Sequence, residues 1–486
     1  MQLKSLLGPE VTTRSASGAI EIAGITADSR QVRPAWLFAA MPGSKADGAH
    51  FVPEAIARGA AAILVKEGTQ VSAPAGIAVL TAAEPRQALA RMAARFYAAQ
   101  PDTIVAVTGT SGKTSVADFA RQIFARLGRK AASLGTIGLV KPDGSVYGGL
   151  TTPDPITLHR TLGELAAEGV THLSFEASSH GLDQHRLDGV RLKAAAFTNL
   201  GRDHLDYHPS MEAYLAAKLR LFTELLPPDG TAVVNADTEH APQVIAAARE
   251  RGRTVLTAGR GGEVLKLASL SRDGFAQRLL IRHDGESYDI RLPLLGDYQA
   301  ANALLAAGLA IAAGEPAARV LPALAELEGV KGRLEIVGNV RGALIVVDYA
   351  HKPDALEAAL TALRPFAPGR LVCVFGCGGD RDKGKRPIMG RIAARLANHV
   401  IVTDDNPRSE RPEAIRAEIL AGAPGSREIG DRAEAIRAGA RLLGHGDLLL
   451  IAGKGHETGQ IVGPTVLPFS DHEAVRAALS ETPING

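Results

Sequence analysis

The 486-residue chain is 46% hydrophobic, with 54 basic and 52 acidic side chains and a net charge of +2. That length predicts about three domains, the hydrophobic content is ample for several cores, and the charge balance argues against a surface built for nucleic acid or another polyanion. No apolar run is long enough to span a bilayer and Met1 to Glu10 lack the apolar stretch of a secretory signal, so a cytoplasmic protein without a membrane span is expected.

In chain order, residues 1–98 read as a small mixed α/β domain. Strand-like pieces at Gly24–Asp28, Trp36–Ala40, Ala61–Val65 and Gly76–Leu80 alternate with helical ones. The helix Pro85–Ala99 then runs into a Gln100-Pro101 linker. A second domain, 99–330, opens with the apolar strand Thr103 to Val107 and the loop Thr108-Gly109-Thr110-Ser111-Gly112-Lys113-Thr114. Apolar residues follow at Val116, Phe119, Ala120, Ile123, Phe124 and Leu127, the spacing of one helix face. Strand, glycine loop and helix together are the context of a phosphate loop. Glycines let backbone N–H groups turn toward phosphate oxygens, and the helix N-terminus adds favourable partial charge. Lys113 is placed to reach the outer phosphates and the Thr114 hydroxyl to touch Mg²⁺. The usual first glycine falls at Val107, and here glycine comes later, at Gly109. The chain is therefore expected to bind a nucleoside triphosphate.

Further strands are expected at His172–Glu176, Ala194–Thr198 and Thr231–Asn235. Glu176 ends a strand on the phosphate-loop sheet, where a second Mg²⁺ ligand belongs. His204 follows the next strand and is a candidate metal contact. Lys218 lies on a helix beginning at Met211, close to an apolar stripe of Leu215, Leu219, Phe222 and Leu226. Such a lysine ordinarily snorkels to solvent. If buried, its pKa falls, and the neutral amine can react with CO₂ to give a metal-holding carbamate.

The third domain, 331–486, alternates strands (Leu344–Tyr349, Leu371–Phe375, Val400–Thr403, Asp447–Ala452) with helices (Pro353–Leu363, Arg386–Leu396 and two more). That order predicts a parallel, doubly wound, Rossmann-like sheet with ligands at the carboxyl ends of its strands. Arg381 and Arg408 stand at such ends and could grip carboxylates bidentately, while Glu457 at another could hold an ammonium. The two cysteines, Cys373 and Cys377, lack the partners of a zinc site and read as buried strand thiols.

These motifs resemble the Mur ligases of peptidoglycan synthesis, and the resemblance covers nearly the whole chain. The loop Gly109 to Ser115 (Gly109, Thr110, Ser111, Gly112, Lys113, Thr114, Ser115) is similar to that family's ATP loop, with Ser111 where asparagine is commoner. Glu176-Ala177-Ser178-Ser179-His180-Gly181-Leu182-Asp183-Gln184-His185-Arg186 resembles the segment that holds metal and muramoyl peptide. Tyr214-Leu215-Ala216-Ala217-Lys218 resembles the one that carries a carbamylated lysine. Asp28-Ser29-Arg30 resembles a uridine-nucleotide contact and Thr151-Thr152-Pro153 a muramoyl-peptide contact. Asn302, Arg333 and Asp348-Tyr349-Ala350-His351 look like nucleotide contacts. Asp405-Asn406-Pro407-Arg408 matches the diaminopimelate-adding branch, and Arg381, Gly453 and Glu457 match the pocket around it. Ser44 and Lys45 replace a more polar turn, and Lys352 stands where threonine is familiar.

The resemblance implies three α/β domains: a small N-terminal one for the uridine nucleotide, a central P-loop ATPase-like one and a C-terminal Rossmann-like one for the amino acid. It implies ATP-driven amide formation through an acyl phosphate. Lys113, Glu176, His204 and Lys218 would be catalytic, and Thr114, Glu176, His204 and carbamylated Lys218 would hold Mg²⁺. The muramoyl dipeptide would meet Ser29, Thr151, Thr152, Ser178, Gln184 and Arg186. Diaminopimelate would meet Arg381, Asp405, Asn406, Pro407, Arg408, Gly453 and Glu457. A monomer acting on small-molecule substrates is expected. Two alternatives remain open at this point: a folylpolyglutamate synthetase-like ligase and a regulatory P-loop NTPase.

Overall fold

The computed structural model describes residues 1–13, 19–43, 47–148 and 151–480. Ser44 and Lys45, where the first domain departs from the expected turn, lie outside the described residues. The chain forms two compact units. One comprises Met1–Leu267, Arg282–Glu286 and Leu304–Ala323; the other comprises Ala268–Ile281, Ser287–Ala303 and Leu324–Gly486.

The first unit holds two sheets. The smaller has the strand order Thr12–Thr13, Ala78–Ala82, Ala60–Lys66, Trp36–Ala39, Gly24–Thr26. Its three central strands, Ala78–Ala82, Ala60–Lys66 and Trp36–Ala39, are largely apolar runs because both faces are covered. Leu37, Ala62, Leu64 and Leu80 enter one core, and Phe38, Ile63, Val65 and Val79 enter the other. In the larger sheet, the parallel strands Thr254–Gly259, Thr231–Asn235, Leu192–Phe197, Thr103–Thr108, His172–Glu176 and Ala131–Gly135 lie side by side in that order. The register sets the site. Glu176 pairs with Val107, and Phe197 with Thr108, so both neighbouring strands end level with the glycine loop. Helix Lys113–Arg126 buries the expected face, Val116, Phe119, Ala120, Ile123 and Phe124.

In the second unit the order is Glu335–Val340, Ala343–Asp348, Leu448–Ala452, Leu371–Phe375, His399–Val402, Arg427–Glu428. Only the first strand runs antiparallel to its neighbour. Helices Pro353–Leu363, Lys385–Leu396 and Pro412–Leu420 cover one face, and Arg432–Arg441 and Asp471–Ser480 the other, the doubly wound arrangement expected. Ala452 pairs with both Asp348 and Phe375, and Phe375 with Val402, so four strands end at one level.

Both cysteines are buried, and burial pushes each thiol up to about 12. Cys373 is on a strand; Cys377 is not, because its strand ends at Phe375, and its Sγ lies 3.7 Å from Met389 Sδ. The sequence reading missed the strands Leu265–Asp273, Ala276–His283 and Glu286–Leu292, the helix Asp297–Ala312, and the hairpin of Gly459–Val462 with Thr465–Pro468.

Asp447 pins the start of the strand Leu448–Ala452. Its carboxylate accepts from Arg370 N (2.6 Å), Arg370 Nε (3.0 Å), Arg370 Nη2 (2.6 Å) and Gly444 N (2.8 Å). Burial raises its pKa, but these donors outweigh burial and hold it at about 2, below the ordinary 3.8. A depressed carboxylate stabilises the fold above its unfolded value and loses that contribution as pH falls through the folded one. Asp447→Asn is therefore expected to lower the melting temperature at pH 7 by roughly 2–4 °C. In a pH series of melts, the gap from the parent should shrink between 3.8 and about 2.

Candidate active site

The loop at the end of Thr103–Thr108 is shaped by the neighbouring strand. A Cβ on Gly109, where φ is +146°, would lie 1.9 Å from Thr198 Oγ1. Glycine is thus required for close approach as well as for conformation. Thr198 Oγ1 donates to Ser111 O at 2.6 Å, while Asn199 Oδ1 accepts from Ser111 N at 3.0 Å and from Ser111 Oγ at 3.2 Å. Thr110 Oγ1 accepts from Gly201 N at 2.9 Å and lies 3.2 Å from Tyr214 OH. Lys113 Nζ curls back to donate to the carbonyls of Gly109 and Thr110, 2.9 Å each. Thr114, at the start of the helix, is buried.

Lys218 Nζ donates to that same Gly109 carbonyl at 2.7 Å and sits 4.4 Å from the Tyr214 ring centroid. The sequence reading set Lys218 at the edge of a stripe built on Leu215 and Leu219. The buried stripe is instead Tyr214, Ala217, Lys218, Leu221 and Phe222, with Leu215 and Leu219 only partly buried. The helix Met211–Arg220 is rotated so that the Tyr214 hydroxyl and the Lys218 amine reach the loop. Lys218 is 1% exposed. Burial first, and then the charge of Lys113, drives its pKa well below the ordinary lysine range, the condition for a neutral, nucleophilic amine. Burial also pushes Tyr214 up to about 12, so its hydroxyl stays protonated.

Glu176 is buried beside the loop, with Oε1 accepting from Thr136 N at 2.7 Å and Oε2 from Thr136 Oγ1 at 3.2 Å. No cationic side chain pairs with it among the described residues. The muramoyl-peptide candidates gather around it. Thr151 Oγ1 lies 3.1 Å from Thr136 Oγ1. Thr152 Oγ1 donates to Glu176 O at 2.9 Å and accepts from Ser178 N at 3.1 Å. Ser178 caps the short helix Ser179–Asp183. Arg186 Nη1 donates to Thr152 O and Nη2 to Gln184 Oε1, both at 2.7 Å. Ser29 is held elsewhere, after the strand Gly24–Thr26, where its Oγ donates to Glu54 Oε2 at 2.7 Å.

His204 adopts φ +53°, and its Nε2 lies 3.6 Å from Asp203 Oδ2. Its ring joins an aromatic cluster, 4.9 Å from His180 and 6.1 Å from Tyr214. Burial lowers the pKa of His180 and His208 in that cluster. Among the described residues no three His, Cys, Asp or Glu side chains are already arranged as a metal cage. The oxygen donors available nonetheless suit a hard cation such as Mg²⁺: a hydroxyl at Thr114 and the buried carboxylate of Glu176, with a carbamate on Lys218 adding hard oxygens, while the imidazole of His204 is the softer donor of the set.

In the second unit, Asp348 ends its strand buried. Its Oδ2 accepts from Leu334 N and its Oδ1 from Ala350 N, 2.8 Å each, and burial raises its pKa. Arg333 stacks 4.9 Å over Tyr349, and its buried Nε has no hydrogen-bond partner among the described residues. Asn302 Nδ2 donates to Gln299 Oε1 at 3.0 Å, and Gln299 reaches Arg333 O at 3.3 Å. The three nucleotide-contact candidates of this unit thus form one cluster.

The amino-acid candidates meet at the level strand ends. Arg408, at φ +51°, donates through Nη1 to Gly379 O at 2.8 Å. A Cβ on Gly453, at φ +117°, would fall 2.5 Å from Asp405 Oδ2. Asn406 Nδ2 donates to Glu457 Oε2 at 3.0 Å. Pro407 is packed against Gly379, where a Cβ would meet Pro407 O at 1.9 Å. Arg381 is exposed and donates only weakly to Asp380 O at 3.3 Å, although it and Arg408 both border Gly378. One expectation needs correcting. Glu457 is not simply vacant for an ammonium, because the wholly buried Lys454 lies 3.3 Å from its Oε2. Thr136 stands outside every motif of the sequence, and Lys454, Tyr214 and Asn199 lie in motif segments that gave them no role of their own. Only Lys454 left a signal, a lysine between two glycines at a strand end.

Three family models match in order: the Mur ligase family catalytic domain at residues 21–97, the Mur ligase middle domain at 107–310 and the Mur ligase glutamate ligase domain at 332–455. A UDP-N-acetylmuramoyl-L-alanyl-D-glutamate–2,6-diaminopimelate ligase from Bradyrhizobium diazoefficiens is 60% identical over 99% of both chains. A solved structure of a ligase of that name is 35% identical, with TM-score 0.71, covering 94% of this chain and 95% of the other. A folylpolyglutamate synthase from Mycobacterium tuberculosis, 20% identical with TM-score 0.61 over 76% of this chain and 91% of its own, shares the fold. The chain belongs to the Mur ligase family, and with it to the ATP-dependent amide ligases.

Gly109→Ala is expected to reduce kcat/KM for ATP by about 100-fold or more, since a misplacement of about 1 Å at the reacting groups is that costly. Steady-state phosphate release, with a melting curve to show the fold intact, measures this.

Proposed function

We propose that this chain joins 2,6-diaminopimelate to the γ-carboxylate of UDP-N-acetylmuramoyl-L-alanyl-D-glutamate, using ATP, in cytoplasmic peptidoglycan synthesis and as a monomer. The observation that carries this reading is the 60% identity, across the whole chain, to a ligase of that name. In this assignment residues 1–98 take the uridine nucleotide, 99–330 the ATP and 331–486 the amino acid.

A carboxylate is a poor electrophile, because resonance spreads its charge and it has no leaving group. Attack of its oxygen on the γ-phosphorus of ATP releases ADP and leaves an acyl phosphate. The amine of diaminopimelate then attacks the acyl carbon, an amide bond forms, and phosphate departs with loss of a proton from nitrogen. The transition states are strongly anionic. Lys113, uncurled from the carbonyls of Gly109 and Thr110, would neutralise the phosphates. Thr114, Glu176, His204 and carbamylated Lys218 would hold Mg²⁺, which when bound supplies further positive charge to the phosphoryl oxygens. Carbamylation adds CO₂ to the neutral Lys218 amine and releases one proton. Thr151, Thr152, Ser178, Gln184 and Arg186 would orient the muramoyl peptide, with Ser29 on the uridine nucleotide. Asn302, Arg333 and Asp348 would complete the nucleotide contacts.

Lys218→Ala is expected to lower kcat by about 100-fold or more, with partial recovery on adding short carboxylic acids that replace the carbamate. Phosphate release with and without acetate tests this. Arg408 and Arg381 would pair with the carboxylates of diaminopimelate. L-Lysine lacks the distal carboxylate, and an unpaired guanidinium in the pocket costs about 1–3 kcal/mol or more. The kcat/KM for meso-diaminopimelate should exceed that for L-lysine by a factor on the order of 10² or more. Comparable values in a phosphate-release assay with the nucleotide dipeptide would overturn the choice of amino acid.

A further inference from the structure

Lys454 is a wholly buried ammonium in the loop after Leu448–Ala452, and the mechanism above gives it no task. Its Nζ donates to Asn406 Oδ1 at 2.9 Å and to Glu457 Oε2 at 3.3 Å, and lies 3.9 Å from Asp405 Oδ1. Asn406 Oδ1 also accepts from Ile461 N at 2.9 Å. With two donors on its oxygen, the Asn406 amide can face only one way, and its Nδ2 is turned to Glu457 Oε2 at 3.0 Å. Oε2 therefore has two donors. Among the described residues Oε1 has only the Tyr349 hydroxyl at 3.5 Å, a long contact. The Glu457 side chain stays one-third exposed, so Oε1 is the oxygen open to an incoming group.

We infer that Lys454 is a positioning residue: by fixing Asn406 and engaging Oε2, it aims Oε1 of Glu457 at the ammonium of the amino-acid substrate that is not the nucleophile. The inference rests on the reading of this pocket as the diamine site. It assigns amine recognition to a clamp of three residues, of which Glu457 meets the ammonium and Asn406 and Lys454 hold it in place. Lys454 also offsets Asp405, whose carboxyl burial would otherwise leave with less compensation.

The test uses the full-length enzyme with ATP and the nucleotide dipeptide. Lys454→Met should raise KM for diaminopimelate by about ten- to a hundredfold, the loss expected of a charge-assisted contact. Its kcat should fall less than threefold or so, with KM for ATP unchanged. Lys454→Gln retains an N–H donor for Asn406 and should fall between the two; it carries the same test if the Met variant does not fold. Two comparisons separate positioning from general damage. With 2-aminopimelate, which keeps the nucleophilic amine and both carboxylates but lacks the second amine, Lys454→Met should change KM little. In a Glu457→Gln background the Lys454 substitution should add little further loss. Equal KM for diaminopimelate in parent and Lys454 variants, or an equal loss with both substrates, overturns the inference. Failure of the parent enzyme to ligate diaminopimelate at all overturns the underlying reading instead.

Discussion

One carbonyl oxygen, that of Gly109, receives hydrogen bonds from both Lys113 and Lys218. Two ammonium groups on one small dipole, one of them almost wholly buried, cannot both stay protonated cheaply. Lys113, only partly buried, is the one placed to reach a phosphate, while burial and then the charge of Lys113 lower the pKa of Lys218. The rest of the first unit serves this contact. Tyr214 orients the helix through Thr110, Thr198 and Asn199 brace the loop, and glycine at 109 is what lets the loop come close enough.

The second unit solves a different problem, that of burying charge at strand ends without leaving it unpaired. Arg432 forms a fully buried pair with Asp471, at 2.7 and 2.8 Å, and donates to Ala452 O at 3.0 Å. Arg386, also fully buried, chelates Glu410 at 2.8 and 3.0 Å and reaches Glu418 at 2.9 Å, and Glu410 accepts from Asp380 N. These pairs anchor the loops Gly376–Arg381 and Asp404–Glu410 from behind. Arg408 can then hold a left-handed backbone while its guanidinium borders the pocket. Arg408, Asn406 and Lys454 at the level strand ends are thus already held by hydrogen bonds within the protein, which reduces the ordering needed to recognise a ligand.

Much of the architecture was legible in the residues. His172–Glu176, Thr231–Asn235, Pro353–Leu363 and Leu371–Phe375 have the limits their patterns predicted, because both-faced burial in a parallel sheet writes continuous apolar runs and amphipathic helices write a clear stripe. The three strands between Leu265 and Leu292 were not legible. Their burial alternates irregularly, with exposed positions throughout, so no single period stands out. The candidates around the phosphate loop were found because phosphate binding demands glycine, lysine and hydroxyl at fixed spacing. The bracing roles of Thr136, Tyr214 and Asn199 were not legible because nothing in their local sequence distinguishes a hydroxyl or amide that braces a loop from one that meets water.

The amino-acid sequence by itself determined the strands of the parallel sheets that are buried on both faces, the amphipathic helices beside them, the position of the glycine loop, and which charged residues fall at strand ends. These follow from local spacing and backbone chemistry. Tertiary structure alone decided that Lys218 is central to its buried stripe rather than beside it, that no cationic side chain pairs with Glu176 among the described residues, and that Lys454 lies against Asn406. Burial and pairing of a charge depend on what distant segments bring to it: Gly109 is 109 residues from Lys218, and Asn406 is 48 from Lys454. Only the packed fold sets the desolvation and hydrogen bonding that give those groups their chemistry.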